Sequence, residues 1–136
     1  MKKVEVVAAV LRNKEGKFLC VQRGPHKFDY IHEKFEFPGG KIEPHESQQE
    51  ALHRELVEEL NLIDFVILEK LITVVHQYPD FELTMHAFLC ASDYPKFTLN
   101  EHINFFWLKG EELLQLDWAA ADIPIVNHIL NHESRN

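Results

Sequence analysis

With 136 residues, the chain has room for one domain and none for a second. Its 46% hydrophobic and 26% charged residues are globular proportions, enough to bury roughly two-thirds of the unfolded surface. A formal charge of −8, from 22 acidic against 14 basic residues, excludes the basic footprint that a binder of long nucleic acid needs.

The same charge is compatible with a small phosphorylated partner, because divalent cations bridge clustered carboxylates to phosphate oxygens. No apolar run is long enough to span a bilayer, and the opening Met1–Asn13 segment is too soon charged for a secretory signal. Cys20 and Cys90 are too few for a disulfide scaffold and read as buried thiols in a reducing cytoplasm.

Val4–Leu11 and Lys17–Arg23 are β-branched or apolar runs, and Asn13-Lys14-Glu15-Gly16 between them reads as a hairpin turn. Gly24–Lys34 is polar, rich in aromatics and histidines, and without a period, as expected of a loop. Glu36-Phe37-Pro38-Gly39-Gly40 closes a short strand on two glycines that tolerate unusual backbone angles. Ser47 with Glu50 forms a capping box that predicts a helix to about Leu60, with Asn61 at a left-handed C-cap. Two strands follow, Phe65–His76 and Phe81–Cys90, joined by a turn at Tyr78-Pro79-Asp80. In the second, Phe81, Leu83, Met85, Ala87 and Leu89 alternate with polar residues. Ile103–Leu108 predicts another strand and Gly110–Leu116 a short helix. A last helix begins near Asp122-Ile123-Pro124, with Ile125, Val126, Ile129 and Leu130 on one side. Without strict βαβ alternation, the class is α+β.

The chemistry concentrates on the first helix. Glu55, Glu58 and Glu59 stand at i, i+3 and i+4 and share a face, each like-charge pair costing roughly 0.2–0.5 kcal/mol. Glu58 and Glu59 also crowd the negative end of the helix dipole. Leu52, Leu56 and Leu60 form the neighbouring stripe, so the acidic face borders the core. A solvated acidic face is the bland alternative. Crowding at a mispolarised helix end favours a hard-cation site for Mg²⁺ or Mn²⁺.

Gly40, Glu46, Arg54, Glu55, Leu56, Glu58, Glu59 and Leu62 together match the spacing G-x5-E-x7-R-E-U-x-E-E-x-G-U, with U a large aliphatic residue. This is the Nudix box, and the chain resembles the Nudix hydrolase family across residues 40–62. Only the second glycine departs, as Asn61, which still tolerates the left-handed conformation. Val4-Glu5-Val6-Val7-Ala8-Ala9, Gln22-Arg23, Glu36-Phe37-Pro38-Gly39-Gly40-Lys41 and Ala121-Asp122-Ile123-Pro124 extend the resemblance to the MutT-like branch, nearest to CTP pyrophosphohydrolases.

The resemblance implies one domain over 1–136, with a central mixed sheet sandwiched between helices and the box as loop–helix–loop. It implies metal ligands at Glu55, Glu58, Glu59 and the Gly39 carbonyl, with Arg54 orienting the carboxylates. Glu46, ahead of the helix, pairs with Arg54 or a water, or simply favours the helix dipole. Glu101 serves as metal ligand or base, or is a solvated loop acid, and the general base stays open among Glu55, Glu58 and Glu101. Arg23 and Lys41 would hold distal phosphates or the base edge, within a substrate-binding set that includes Glu36, Phe37, Pro38, Gly39 and Asp122. Phe37 is either an aromatic wall or core. Asp122 either caps the last helix or accepts a hydrogen bond from an exocyclic amine. His128 and His132, at i and i+4, read as exposed helix residues.

The expected activity is Mg²⁺-dependent cleavage of a nucleoside triphosphate to monophosphate and pyrophosphate, by a monomer or small homo-oligomer. CTP, dCTP and 8-oxo-dGTP are the leading substrates. A dinucleoside polyphosphate or nucleotide sugar is the alternative, and a non-catalytic binding module ranks last because every box carboxylate is present.

Overall fold

A computed structural model describes residues 2–133; position 1 and positions 134–136 of the expected 1–136 domain lie outside it. Strand β1 (Lys2–Arg12) turns through Asn13, whose Oδ1 accepts from the Glu15 and Lys17 amides at 3.0 Å each, into β2 (Phe18–Gln22). Two short strands, β3 (Phe35–Glu36) and β4 (Gly39–Lys41), precede helix α1 (Gln48–Leu60). Then come β5 (Val66–Gln77), β6 (Phe81–Ala91) and β7 (Asn104–Leu108). Two 3₁₀ turns, Gly110–Gln115 and Ala120–Asp122, lead to helix α2 (Ile123–Glu133). The predicted short helix is thus 3₁₀, and the single strand expected at 36–40 is two.

The sheet runs β3-β2-β1-β6-β5, with β4 also on β1 and β7 also on β2. β1 pairs parallel with β6 from Lys2↔Phe81 to Arg12↔Ala91, and the other pairings are antiparallel, so the sheet is mixed. Strand β1 is buried on both faces, which explains its nearly unbroken apolar run. Val7, Ala9 and Leu11 point to the α1 side and meet Ala51, Leu52, Leu56 and Leu60. Ala8 and Val10 point the other way, to Ile125, Val126 and Ile129 of α2. The sheet is therefore sandwiched between the two helices, as expected. Each buried leucine of α1 contributes about 2 kcal/mol, more than any pair of the glutamates beside it loses to repulsion. Hydrophobic anchoring holds the acidic helix down.

The capping box is present: Glu50 N–H donates to Ser47 Oγ at 3.0 Å and Ser47 N–H to Glu50 Oε1 at 2.8 Å. The 24–34 segment carries no strand or helix. It is tied to the β5–β6 turn by the Tyr30 hydroxyl, which donates to Asp80 Oδ2 at 2.7 Å, and by stacking of Tyr30 on Tyr78. No helix among the described residues is long and apolar enough to cross a membrane. On α2, His132 Nδ1 donates to the His128 carbonyl at 2.9 Å, with the two rings 4.0 Å apart.

Candidate active site

The box glutamates differ in setting although they share a helix. Glu59 is buried, at 8% exposure, and its Oε1 accepts from the Gly39 amide at 3.1 Å. Burial, the charge of Glu36, and a hydrogen bond shared with Glu101 push its carboxyl up to about 9. Burial also raises the Glu55 carboxyl, against the opposing pull of Arg54. Glu58 points outward, with 56% of its side chain exposed. As they stand, no three His, Cys, Asp or Glu side chains among the described residues converge tightly enough to hold an ion. Mutual repulsion accounts for the spread: Glu59 turns to a backbone amide, Glu55 to Arg54, and Glu58 to the solvent-exposed edge of the same guanidinium.

The donor set nonetheless fits a hard cation. Its atoms are carboxylate oxygens, and two of the carboxyls, Glu55 and Glu59, are raised first of all by burial, a cost that a bound cation would offset. Gly39 and Gly40 are required by close approach and not by the unusual backbone angles that two consecutive glycines would permit. Neither adopts a left-handed conformation; a Cβ on Gly39 would collide with the Val7 carbonyl, and one on Gly40 with the Glu55 carboxylate. The requirement is closeness, not backbone freedom.

Arg54 organises this face. Its Nε and Nη2 reach Glu46 at 2.7 and 2.8 Å, its Nη1 reaches Glu55 at 2.8 Å and Glu58 at 3.3 Å, and Nη2 also donates to the Lys41 carbonyl at 2.8 Å. The fork on Glu46 holds that carboxyl down at about 2. Of the readings for Glu46, pairing with Arg54 is the one realised. The Lys41 side chain is exposed.

Asn61 sits at φ 54° in the left-handed region, as predicted, but does more than tolerate it. Its Nδ2 donates to Thr98 Oγ1 at 2.6 Å and to Asn100 Oδ1 at 3.3 Å, while Asn100 Nδ2 donates to the Glu58 carbonyl at 2.8 Å. The loop before Glu101 is thereby clamped to the end of α1. Restoring the family glycine with Asn61→Gly relieves left-handed strain but frees the unfolded chain, and these two effects nearly cancel. The lost hydrogen bonds then decide the sign. Asn61→Gly should cost about 1 kcal/mol, read as a melting temperature lower by roughly 3 °C. An equal or higher melting temperature would refute the clamp.

A second polar group lies beyond β3. Asp122 is 4% exposed, and its Oδ2 accepts from the Phe37 amide at 2.9 Å, across 85 positions of sequence. It makes this bond rather than a capping bond to α2, so the capping reading gives way. Burial, then the nearby Glu36, push its carboxyl well above the ordinary range. Phe37 is core: it is 3% exposed and stacked on Trp118 at 4.7 Å. The core reading is the one realised, because the Phe37 ring is buried against Trp118. Pro38 is also buried, its carbonyl accepting from the Ala9 amide at 2.8 Å. Arg23 Nε stands 3.7 Å from Glu36 Oε1, and the Tyr78 hydroxyl accepts from the Ala121 amide at 3.1 Å. His102 Nε2 is 2.9 Å from Glu36 Oε2, and the only mark of this residue in the sequence is its place beside Glu101.

The NUDIX domain family matches residues 2–129. The chain belongs to the Nudix family. The CTP pyrophosphohydrolase of Escherichia coli (strain K12) is 38% identical over 126 residues, covering 93% of this chain and 90% of that protein. The 8-oxo-dGTP diphosphatase of Proteus vulgaris is 40% identical over 88 residues, covering 65% and 76%. The solution structure of the E. coli ORF135 protein has a TM-score of 0.85 at 34% identity, covering 100% of this chain and 94% of that one. The chain is a Nudix hydrolase of the MutT-like branch.

Proposed function

We propose that this Nudix hydrolase cleaves a nucleoside triphosphate to its monophosphate and pyrophosphate, with CTP, dCTP or an oxidised purine nucleotide such as 8-oxo-dGTP as substrate. The observation that carries the reading is one acidic helix face, with Glu55 and Glu58 held by Arg54 and Glu59 beside them, within reach of the charge of Glu36, which acts on Asp122 as well. One end suits a polyphosphate, the other the donors of a base. Relatives that act on CTP and on 8-oxo-dGTP support the same substrate class.

Glu55, Glu58, Glu59 and the Gly39 carbonyl would hold Mg²⁺, or Mn²⁺ in its place. When bound, the ion neutralises phosphate charge and acidifies the attacking water. One of Glu55, Glu58 and Glu101 takes the proton from that water. Arg54 keeps the carboxylates in register, and Arg23 and Lys41 bind phosphate oxygens or the base edge. Glu36 and Asp122 accept from an exocyclic amine such as N4 of cytosine. The proposal includes a reducing cytoplasm, in keeping with Cys20 and Cys90, unpaired buried thiols that burial pushes up to about 12.

The test is kcat/KM for CTP, dCTP, GTP and 8-oxo-dGTP in the wild type and in Asp122→Asn. The wild type should prefer one of these nucleotides by at least about tenfold, and at a pH high enough to ionise Asp122 the variant should reorder them, because an amide adds a donor where the carboxylate has only acceptors. Stability gives a second readout. The folded Asp122 carboxyl titrates above its unfolded range, so the folded wild type binds the extra proton and loses stability as pH rises from about 4. Asparagine keeps an oxygen for the Phe37 amide without a buried charge. Asp122→Asn should therefore melt higher than the wild type at pH 8, with the gap closing toward pH 4. No hydrolysis of any of the four nucleotides would overturn the function, and an unchanged order would remove Asp122 from base reading.

A further inference from the structure

His102 is 96% buried by its side chain, which is only 4% exposed, yet it stands in a polar segment at the edge of the site. Its Nε2 lies 2.9 Å from Glu36 Oε2; a carboxylate oxygen accepts there, so the ring carries its hydrogen on Nε2. The other ring nitrogen, Nδ1, is buried with no hydrogen-bond partner among the described residues. A buried nitrogen left unpaired is unfavourable, and native structures retain one where something else requires the residue. An apolar side chain would fill the same space without that cost. What the histidine supplies, and an apolar side chain does not, is the bond to Glu36.

Glu36 is worth holding. It is 18% exposed, its Oε1 faces Arg23, and its charge is felt both by Glu59 on the helix and by Asp122 beyond β3. It therefore stands between the metal-binding and base-binding ends. Backbone bonds fix the segment that carries His102 at both sides: Asn100 N–H donates to the Glu59 carbonyl and Ile103 N–H to the Gln22 carbonyl, each at 3.0 Å. Residue 102 is thus set in register with α1 and β2 before any ligand arrives.

We propose that His102 is a positioning residue, which holds Glu36 through Oε2 so that Oε1, on the Arg23 side, stays fixed to accept from the nucleotide. The proposal rests on the reading of Glu36 as a substrate-binding residue. His102 sets nucleotide affinity without touching the nucleotide, and a glutamate free to rotate would lose order on binding.

Two amide replacements separate donor position from polarity. Glutamine is long enough to place its amide where Nε2 stood; asparagine reaches only to the position of Nδ1. Steady-state kinetics with CTP and with 8-oxo-dGTP at saturating Mg²⁺ give KM and kcat for the wild type, Glu36→Gln, His102→Gln, His102→Asn and the double variant Glu36→Gln/His102→Asn. KM does not depend on the fraction of protein that is folded, so a loss of fold lowers only apparent kcat. Glu36→Gln and His102→Asn should each raise KM about tenfold or more with kcat within about threefold, and the double variant should be no worse than Glu36→Gln alone. His102→Gln should keep KM within about threefold of the wild type. If Glu36→Gln raises KM and His102→Asn does not, or if the two effects multiply in the double variant, His102 does not act through Glu36. His102→Gln as impaired as His102→Asn would also overturn the proposal. An unchanged KM in Glu36→Gln would instead remove Glu36 from substrate binding, and His102 with it.

Discussion

Glu59→Gln should lower kcat on the order of a thousandfold while leaving the fold intact, the scale at which a single group that organises transition-state charge is missed. The fold survives because a glutamine oxygen can still accept from the Gly39 amide. Without metal the variant should be the more stable protein. The folded Glu59 carboxyl titrates near 9, far above its ordinary value of 4.5, so the folded wild type binds the extra proton. The contribution of this group to stability is fully present below pH 4.5 and is lost as pH rises through 9. In EDTA at pH 8 the variant should gain at least about 1.4 kcal/mol, the equivalent of one pH unit of that shift. Excess Mg²⁺ should stabilise the wild type by mass action and the variant less. Equal melting temperatures in EDTA, or an equal response to Mg²⁺, would contradict the crowded-site account. Glu58→Gln should also lose activity, with a smaller metal-free gain because Glu58 is half exposed.

Arg54→Lys should be nearly as damaging to turnover, about a hundredfold, although it conserves charge. The guanidinium serves Glu46, Glu55, Glu58 and the Lys41 carbonyl at once, and an ammonium has neither the planar fork nor the reach to do so. Acid stability should change with it. Glu46 is held down at about 2 by this fork, so it supports the fold above pH 4.5 and that support is lost as pH falls toward 2. In Arg54→Lys the acid-side loss should be shallower, and the protein should melt lower at pH 7. Wild-type kcat with a displaced acid limb, or an unchanged limb with lost kcat, would show that the two effects do not share one cause.

Much of this site was legible because it is local. Ser47 with Glu50, the Leu52, Leu56 and Leu60 stripe, and the left-handed Asn61 are matters of spacing along one helix, where period and capping rules apply. The Glu46–Arg54 pair belongs to the same short stretch. What stayed hidden depends on partners brought in by the sheet. Glu59 differs from Glu58 because Gly39, on β4, reaches it 20 positions away. Asp122 resembles a helix cap until β3 and the second 3₁₀ turn bring the Phe37 amide to it from 85 positions off. His102 is one polar residue among several until 66 positions of chain close on Glu36. The Phe37 ring points into the core rather than at a ligand because Trp118 lies against it. Periodicity assigns a face to a residue but not the residue opposite.

Cleavage of the triphosphate should release pyrophosphate. Phosphorus NMR of the products after incubation of the wild-type protein with CTP and Mg²⁺ tests it most directly, with Glu59→Gln as the control. CMP and pyrophosphate in equal amounts, formed by the wild type and nearly absent with Glu59→Gln, is the expected result. CDP with inorganic phosphate, or equal pyrophosphate release by the two proteins, would contradict it.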